Sequence, residues 1–316
     1  MTGMIRRNAW VLSLIALFAV LNIATRVIQP NYGSADFDSL MRAALPYVFA
    51  VAAQVVVVIA GGIDLSVASM MAVCSVTAAA MMAGQSEAYA VFVVPFVLLT
   101  GLCLGAVNGV LIIVTRVPDI VVTLAMLFVL QGVALLILPA PGGGAAEWLR
   151  GLIIGPYLVP WLPKTLILII FCLCAVWLPL KRSRLGLSFY AIGSDELAAF
   201  RSGIAVGRTR ILAYALAGLF AAMGGLSLTM STGIGAPIPG PYLLASVAAV
   251  VLGGVTLGGG RGGLLGPIIA VFVLRLVRTD LTLLALDPNV TTIVEGLIMV
   301  GVVMLGAYLA TRGTSP

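Results

Sequence analysis

The stretch "VVIAGGIDLSVAS", Val57–Ser69, sets one acid behind a Gly-Gly pair and between two apolar runs. The run Val48–Ala60 leads into it and Ile63–Ala83 leads away, so the pattern reads as two membrane helices separated by a break. A carboxylate turned toward lipid costs several kcal/mol, so Asp64 must cap the second helix, find a partner or line water. Capping is the plainer role, and Ser66 and Ser69 stand ready beside it. Similar apolar windows recur at Ala9–Val27, Ala90–Val114, Ile120–Leu138, Thr165–Leu180, Ile211–Met230, Leu243–Leu257, Leu264–Val277 and Val290–Leu309. With 62% hydrophobic residues and a mean hydropathy of +1.20, the chain cannot hide its apolar surface in one soluble core. The expected fold is an all-α polytopic membrane protein of about ten transmembrane helices, some of them broken.

Charge sets the expected orientation. The formal net charge is +6, and the basic residues are unevenly spread. If the N-terminus is cytoplasmic and ten spans alternate, eleven of the 17 basic residues fall on the cytoplasmic side, from Arg6 and Arg7 through Lys181, Arg182 and Arg184 to Arg312. Acids fall mostly on the other side, among them Asp36, Asp38, Glu87 and Glu147. An N-in, C-in topology follows. Residues 1–316 then form a single membrane domain with two notable connections. The external loop 139–163 is rich in Gly and Pro and carries Trp148, Tyr157 and Trp161, which suits an interfacial lid or a short re-entrant helix. The cytoplasmic loop 181–210 contains a short amphipathic helix, with Ser194 as its N-cap, Asp195 and Glu196 in its first turn and Gly203 as its stop.

Several chemistries are excluded or weakly supported. Histidine is absent, which removes His-based triads, proton relays and metal ligation. Cys74, Cys103, Cys172 and Cys174 lie inside apolar spans, where a thiol is a small hydrophobe, and Cys172-x-Cys174 has the wrong spacing for zinc. A cleaved signal peptide at the basic N-terminus is disfavoured by the length of the first apolar run. "GGGRGG", Gly258–Gly263, formally contains a dinucleotide fingerprint, but without strand-helix alternation it reads as a tight cytoplasmic turn. No phosphate-binding GxxxxGK[ST] loop occurs. The chain is thus expected to be no enzyme, with no catalytic residue, no metal and no bound cofactor, and any ATP-driven work must come from a partner.

The polar residues within spans are few. Asn108, Thr123, Gln131 and Glu295 face the bundle interior in this reading, where interhelical hydrogen bonding is the plain role. Neutral amides and hydroxyls also suit a polyol passage, which makes Asp64, Ser66, Asn108, Thr123 and Gln131 the candidates for a translocation pathway. Arg275 and Arg278 are expected to snorkel outward beside Asp280. Finally, Val57–Ser69 echoes "VVLGGVTLGGGRG", Val250–Gly262. Either two Gly-rich membrane segments resemble each other by chance, or the chain is a duplicated fold with breaks at equivalent positions.

Together, "GGIDLSVAS", "NGVLIIVTRVPDIVVTLAMLFVLQGVALL" (Asn108–Leu136), "YAIGSDELAAFRSGIAVGRTRILAYALAGLFAAMGGL" (Tyr190–Leu226) and "AAVVLGGVTLGGGRGGLLG" (Ala248–Gly266) resemble the ribose-type permeases of bacterial ABC sugar importers. The likeness runs from about Val48 to the C-terminus. It implies a subunit of the bacterial cytoplasmic (inner) membrane that pairs with a second permease and docks on a cytoplasmic ATPase, where ATP and Mg are used. It also implies delivery of a sugar by an extracytoplasmic binding protein, and it implies no nucleic acid. By resemblance, Ser194–Val206 is the coupling segment. Asp195, Glu196 and Arg201 would orient it, Leu197, Ala198, Phe200 and Ile204 would form its apolar face, and Ser202 and Gly203 would close it.

One departure stands out. Where ribose-type permeases read "GYELDAIAAVVLGG", this chain has "GPYLLASVAAVVLGG", so Leu243 and Ala245 replace two acids. This tips the expectation toward a heterodimer with a paralogous permease over a pair of identical copies. The nearest alternative function is a branched-chain amino-acid permease. A more distant one is an ion-coupled carrier using Glu295.

Overall fold

The computed structural model describes residues 2–238 and 240–312. The described residues are helical, with two isolated β-bridges, Gly142 with Gly235 and Pro156 with Pro163, and no strand. In chain order the helices are α1 (Thr2–Ile28), α2 (Ser34–Ile59), α3 (Val67–Met82), α4 (Ala90–Thr115), α5 (Asp119–Ile137), α6 (Glu147–Gly151), α7 (Lys164–Cys172), α8 (Leu178–Arg182), α9 (Arg184–Ser194), α10 (Glu196–Arg201), α11 (Val206–Thr232), α12 (Tyr242–Leu252), α13 (Leu265–Leu283) and α14 (Pro288–Arg312). A π-helical turn, Leu173–Trp177, joins α7 to α8 into one continuous rod. Six of these segments are long and apolar enough to cross a membrane: α1 from Trp10, α2, the segment Glu87–Thr115, α5, the rod Lys164–Arg182 and α11. The side chains of Arg6, Arg7 and Arg312, which contribute to the charge asymmetry, lie outside the described residues.

Burial separates central helices from peripheral ones. From Ala44 to Ile59 every residue of α2 is buried, and all but Gln54 and the Tyr47 hydroxyl present apolar side chains around the helix. It packs with α11, α13 and α12, while α4 and α3 also pack on α11. α1, α4 and α5 instead turn large side chains such as Val20, Phe92, Phe128 and Leu136 outward. In water that surface would be a liability, whereas in lipid it is the natural solvent face.

Two boundaries differ from the hydropathy reading. α2 begins at Ser34, well before the apolar run at Val48, because its polar first turns satisfy themselves. Asp36 accepts the Gly33 N–H at 2.8 Å, and Asp38 pairs with Arg42 one turn on at 3.1 Å. At the other extreme, α12 stops at Leu252 before a Gly253–Gly254 pair, so the apolar residues Val255 and Leu257 belong to a loop. Arg275 and Arg278, expected to snorkel outward beside Asp280, have partners on neighbouring helices. Arg275 lies 4.9 Å over the Tyr47 ring, Arg278 pairs with Glu295 at 2.9 Å, and Asp280 accepts a hydrogen bond from Thr25 of α1 at 2.6 Å.

Connections gather at two opposite ends. At one end, Trp148 donates its indole N–H to the Glu87 carbonyl at 2.9 Å, Gly142 pairs with Gly235, and Arg26 and Phe37 both meet Trp161. The loop 139–163 therefore contains the five-residue α6 and is fastened to its neighbours. At the other end lie the α2–α3 break, the α4–α5 turn, the segment carrying α9 and α10, and the α12–α13 loop. A backbone hydrogen bond from Gly260 N–H to the Ile59 carbonyl (3.0 Å) and the phenol of Tyr190, which donates to the Gly262 carbonyl at 3.0 Å, tie them together. Burial raises the pKa of the Tyr190 phenol.

Candidate functional site

The short helix α10 is stopped at both ends. Asp195 is its N-cap, with an extended backbone (φ −159°, ψ 107°) and a carboxylate that accepts the Ala198 N–H at 2.9 Å. Ser194, expected in that role, is instead the last residue of α9, since the chain leaves helical geometry one residue later. At the far end Gly203 takes a left-handed φ of 85°. Its N–H meets the Phe200 carbonyl at 3.0 Å and the Ile204 N–H meets the Ala199 carbonyl at 3.1 Å, the paired bonds of a Schellman stop. Ser202 adds a bond to the Ala198 carbonyl at 2.9 Å.

This geometry fixes which side chains face out. Leu197 and Phe200 are 57% and 68% exposed, and Ala198, Arg201, Ser202 and Gly203 are exposed beside them. Ala199 is buried, and Ile204 is half-buried against the core, so Ile204 anchors the segment and does not extend its outer face. Glu196 reaches sideways to Arg210 of α11 at 3.5 Å. α10 is thus a short helix capped at both ends, with a phenylalanine and a leucine projecting from it.

Four of the polar residues singled out from the sequence come together at the α2–α3 break. Asp64 accepts both the N–H and the hydroxyl of Ser66, at 2.8 and 2.6 Å, and thus shapes the turn that enters α3. The Ser66 hydroxyl in turn accepts from the Asn108 amide of α4 at 2.7 Å. Thr123 of α5 accepts the Leu65 N–H at 3.1 Å. Asp64, Ser66, Asn108 and Thr123 are all fully buried. Gln131 is not part of this hub. It lies two turns further along α5 and is half-buried.

Three residues not singled out from the sequence stand between α10 and this hub. Asp119 opens α5, where the helix dipole favours an acid, and it receives the Tyr214 hydroxyl at 2.7 Å and Arg210 at 3.6 Å. Tyr214 is one turn beyond Arg210 on α11, so both converge on the same carboxylate. The spacing was visible in the sequence; the approach of α5 to α11 was not.

The chain matches the family model described as "Branched-chain amino acid transport system / permease component" over residues 37–303. Among curated proteins it is 32% identical over 309 residues to the ribose import permease protein of Escherichia coli K12, covering 94% of each chain. It is 30% identical to the Haemophilus influenzae ribose import permease, over 95% of this chain and 94% of that one. It is 29% identical to the autoinducer 2 import system permease protein LsrD of E. coli K12, over 98% of both. No solved structure matches. The chain belongs to this family of ABC importer permeases and is a multi-pass protein of the cytoplasmic membrane.

Proposed function

We propose that the chain, as one membrane domain with a second permease, forms the passage for a monosaccharide or related polyol. An extracytoplasmic binding protein delivers the substrate, and a cytoplasmic ATPase that binds ATP and Mg drives transport, while this chain itself binds no cofactor. The observation that carries the reading is α10, an exposed, doubly capped helix with Leu197, Phe200 and Arg201 turned outward. The sugar-import names of the relatives support the substrate class. In this reading loop 181–210 is cytoplasmic and loop 139–163 external, with ten spans and both termini inside. The gathering of alternate connections at opposite ends supports that count.

The test is binding-protein-stimulated ATP hydrolysis in proteoliposomes holding this chain with its ATPase, partner permease and binding protein. Phe200→Asp and Arg201→Glu should each leave the chain folded in the membrane and reduce stimulated hydrolysis to near background. Wild-type stimulation in both variants would refute the docking role of α10.

The replacement of two family acids by Leu243 and Ala245 favours a heterodimer. A stable, active complex containing this permease alone would sink that preference. Within either assembly, Asp64, Ser66, Asn108 and Thr123 are closed off and would meet substrate only if the α2–α3 break opened, whereas Gln131 retains some exposure. The family description favours a second reading, import of a branched-chain amino acid. Uptake of labelled ribose but not leucine decides for the sugar. An ion-coupled carrier is disfavoured because Glu295 is already engaged in an ion pair with Arg278 at 2.9 Å. Glu295→Gln should accordingly lower the melting temperature by a few degrees, roughly the effect of about 1 kcal/mol, and leave ATP-dependent uptake close to wild type.

A further inference from the structure

We infer that Arg210, Asp119 and Tyr214 are positioning residues that carry movement of α10 to the α2–α3 break. The inference rests on the coupling role proposed for α10. Glu196 Oε2 lies 3.5 Å from one Arg210 nitrogen, and the other Arg210 nitrogen lies 3.6 Å from Asp119 Oδ2. That same carboxylate oxygen accepts the Tyr214 hydroxyl at 2.7 Å, and the hydroxyl oxygen is 3.4 Å from the Ile63 carbonyl. On the far side of Asp119, Thr123 donates to the Asp119 carbonyl at 2.8 Å and accepts from Leu65 at 3.1 Å. A continuous set of polar contacts therefore joins the exposed helix to both flanks of Asp64.

A second observation shows how tightly the relay presses on the break. A Cβ on Gly62 would stand 2.5 Å from Asp119 Oδ2 and 2.7 Å from the Tyr214 hydroxyl. The second glycine of the Gly61–Gly62 pair thus leaves room for the carboxylate and phenol to touch the backbone. The rungs are unequal. Glu196 is 57% exposed in its side chain and screened by solvent, so its link to Arg210 is weak and adjustable. Asp119 is only 13% exposed, so its contacts resist separation, and a shift of α11 relative to α5 must be passed to Gly62–Leu65 or break them.

The experiment uses the complete complex and reads substrate transported per ATP hydrolysed, which a merely structural role would not move. Asp119→Asn and Tyr214→Phe keep side-chain volume, and copurification with the ATPase should be unchanged in both. Transport per ATP should fall about five-fold or more in each, and the double variant should be no worse than the more damaged single one, since both break one relay. Arg210→Lys should retain more of the ratio than Arg210→Gln. An unchanged ratio in both single variants, or losses that simply add, would overturn the inference while the importer reading stood. If the wild-type chain recruits no ATPase and uptake proceeds without ATP, the importer reading itself fails and the relay with it.

Discussion

Gly105→Leu should abolish folded protein in the membrane, read as loss of the monodisperse peak in fluorescence-detected size exclusion. Gly101, Gly105 and Gly109 repeat every fourth residue on α4 and form one bare stripe along the helix. α11 crosses on that stripe so closely that a Cβ on Gly105 would overlap the Tyr214 carbonyl and stand 2.9 Å from the Gly218 nitrogen. A Cβ on Gly109 would meet the Ile211 Cα at 2.7 Å, and one on Gly218 would overlap the Gly101 carbonyl from the opposite side. Two backbones in contact cannot yield as a side chain does, so the cost exceeds the usual overpacking penalty of about 1–3 kcal/mol. Gly132 of α5 is the control, because a Cβ there meets nothing. Gly132→Leu should elute as wild type. A monodisperse Gly105→Leu protein at wild-type level would show that α4 and α11 do not cross in this register.

The second large effect is expected at Gly193, the penultimate residue of α9. A Cβ there would overlap the Ile59 carbonyl and stand 2.6 Å from the Gly260 nitrogen, the two atoms whose hydrogen bond joins the end of α2 to the α12–α13 loop. Gly61, Gly259 and Gly260 around it adopt left-handed φ values of 84°, 83° and 66°, and a Cβ on Gly259 would lie 2.9 Å from the Gly61 Cα. Three segments thus meet backbone to backbone, two residues before the Asp195 cap. Gly193→Ala must part them or move α10. Losing one buried backbone hydrogen bond costs about 1–3 kcal/mol, which corresponds to roughly five-fold to over a hundred-fold in the ratio of correctly to incorrectly placed α10. Uptake should fall by at least about five-fold while membrane insertion persists. Gly203→Ala provides the contrast. It strains the left-handed stop by about 1–2 kcal/mol, but its Cβ meets nothing, so uptake should survive in reduced form. Equal uptake from Gly193→Ala and wild type would show that the junction is not held closed during transport.

Much of this was legible in the sequence. Apolar windows marked the long helices, the Gly61–Gly62 pair with Asp64 marked the break, and Asp195, Phe200 and Gly203 marked a short polar-and-apolar helix outside the spans. What escaped was of two kinds. Segments whose polar groups satisfy one another locally, such as Asp36 to Arg42 at the start of α2, look like loop to a hydropathy window and are helix. The glycine stripe of α4 was readable as a four-residue repeat, yet nothing along the chain says which helix lies on it. The echo between Val57–Ser69 and Val250–Gly262 acquires a spatial counterpart, since the two breaks meet at Gly61 and Gly259.

By itself, the sequence determined the solvent and the presence of the long apolar helices, because transfer of apolar residues to lipid and the helical satisfaction of backbone groups are local properties of each segment. It also determined that α10 exists and where it stops, because caps are written within a few residues of the helix they end. Only the tertiary structure decided that Asp119, Arg210 and Tyr214 share one point, and that Gly61, Gly193 and Gly259 share another. Those meetings depend on how closely distant helices approach, and the distance of approach is set jointly by small residues on both partners.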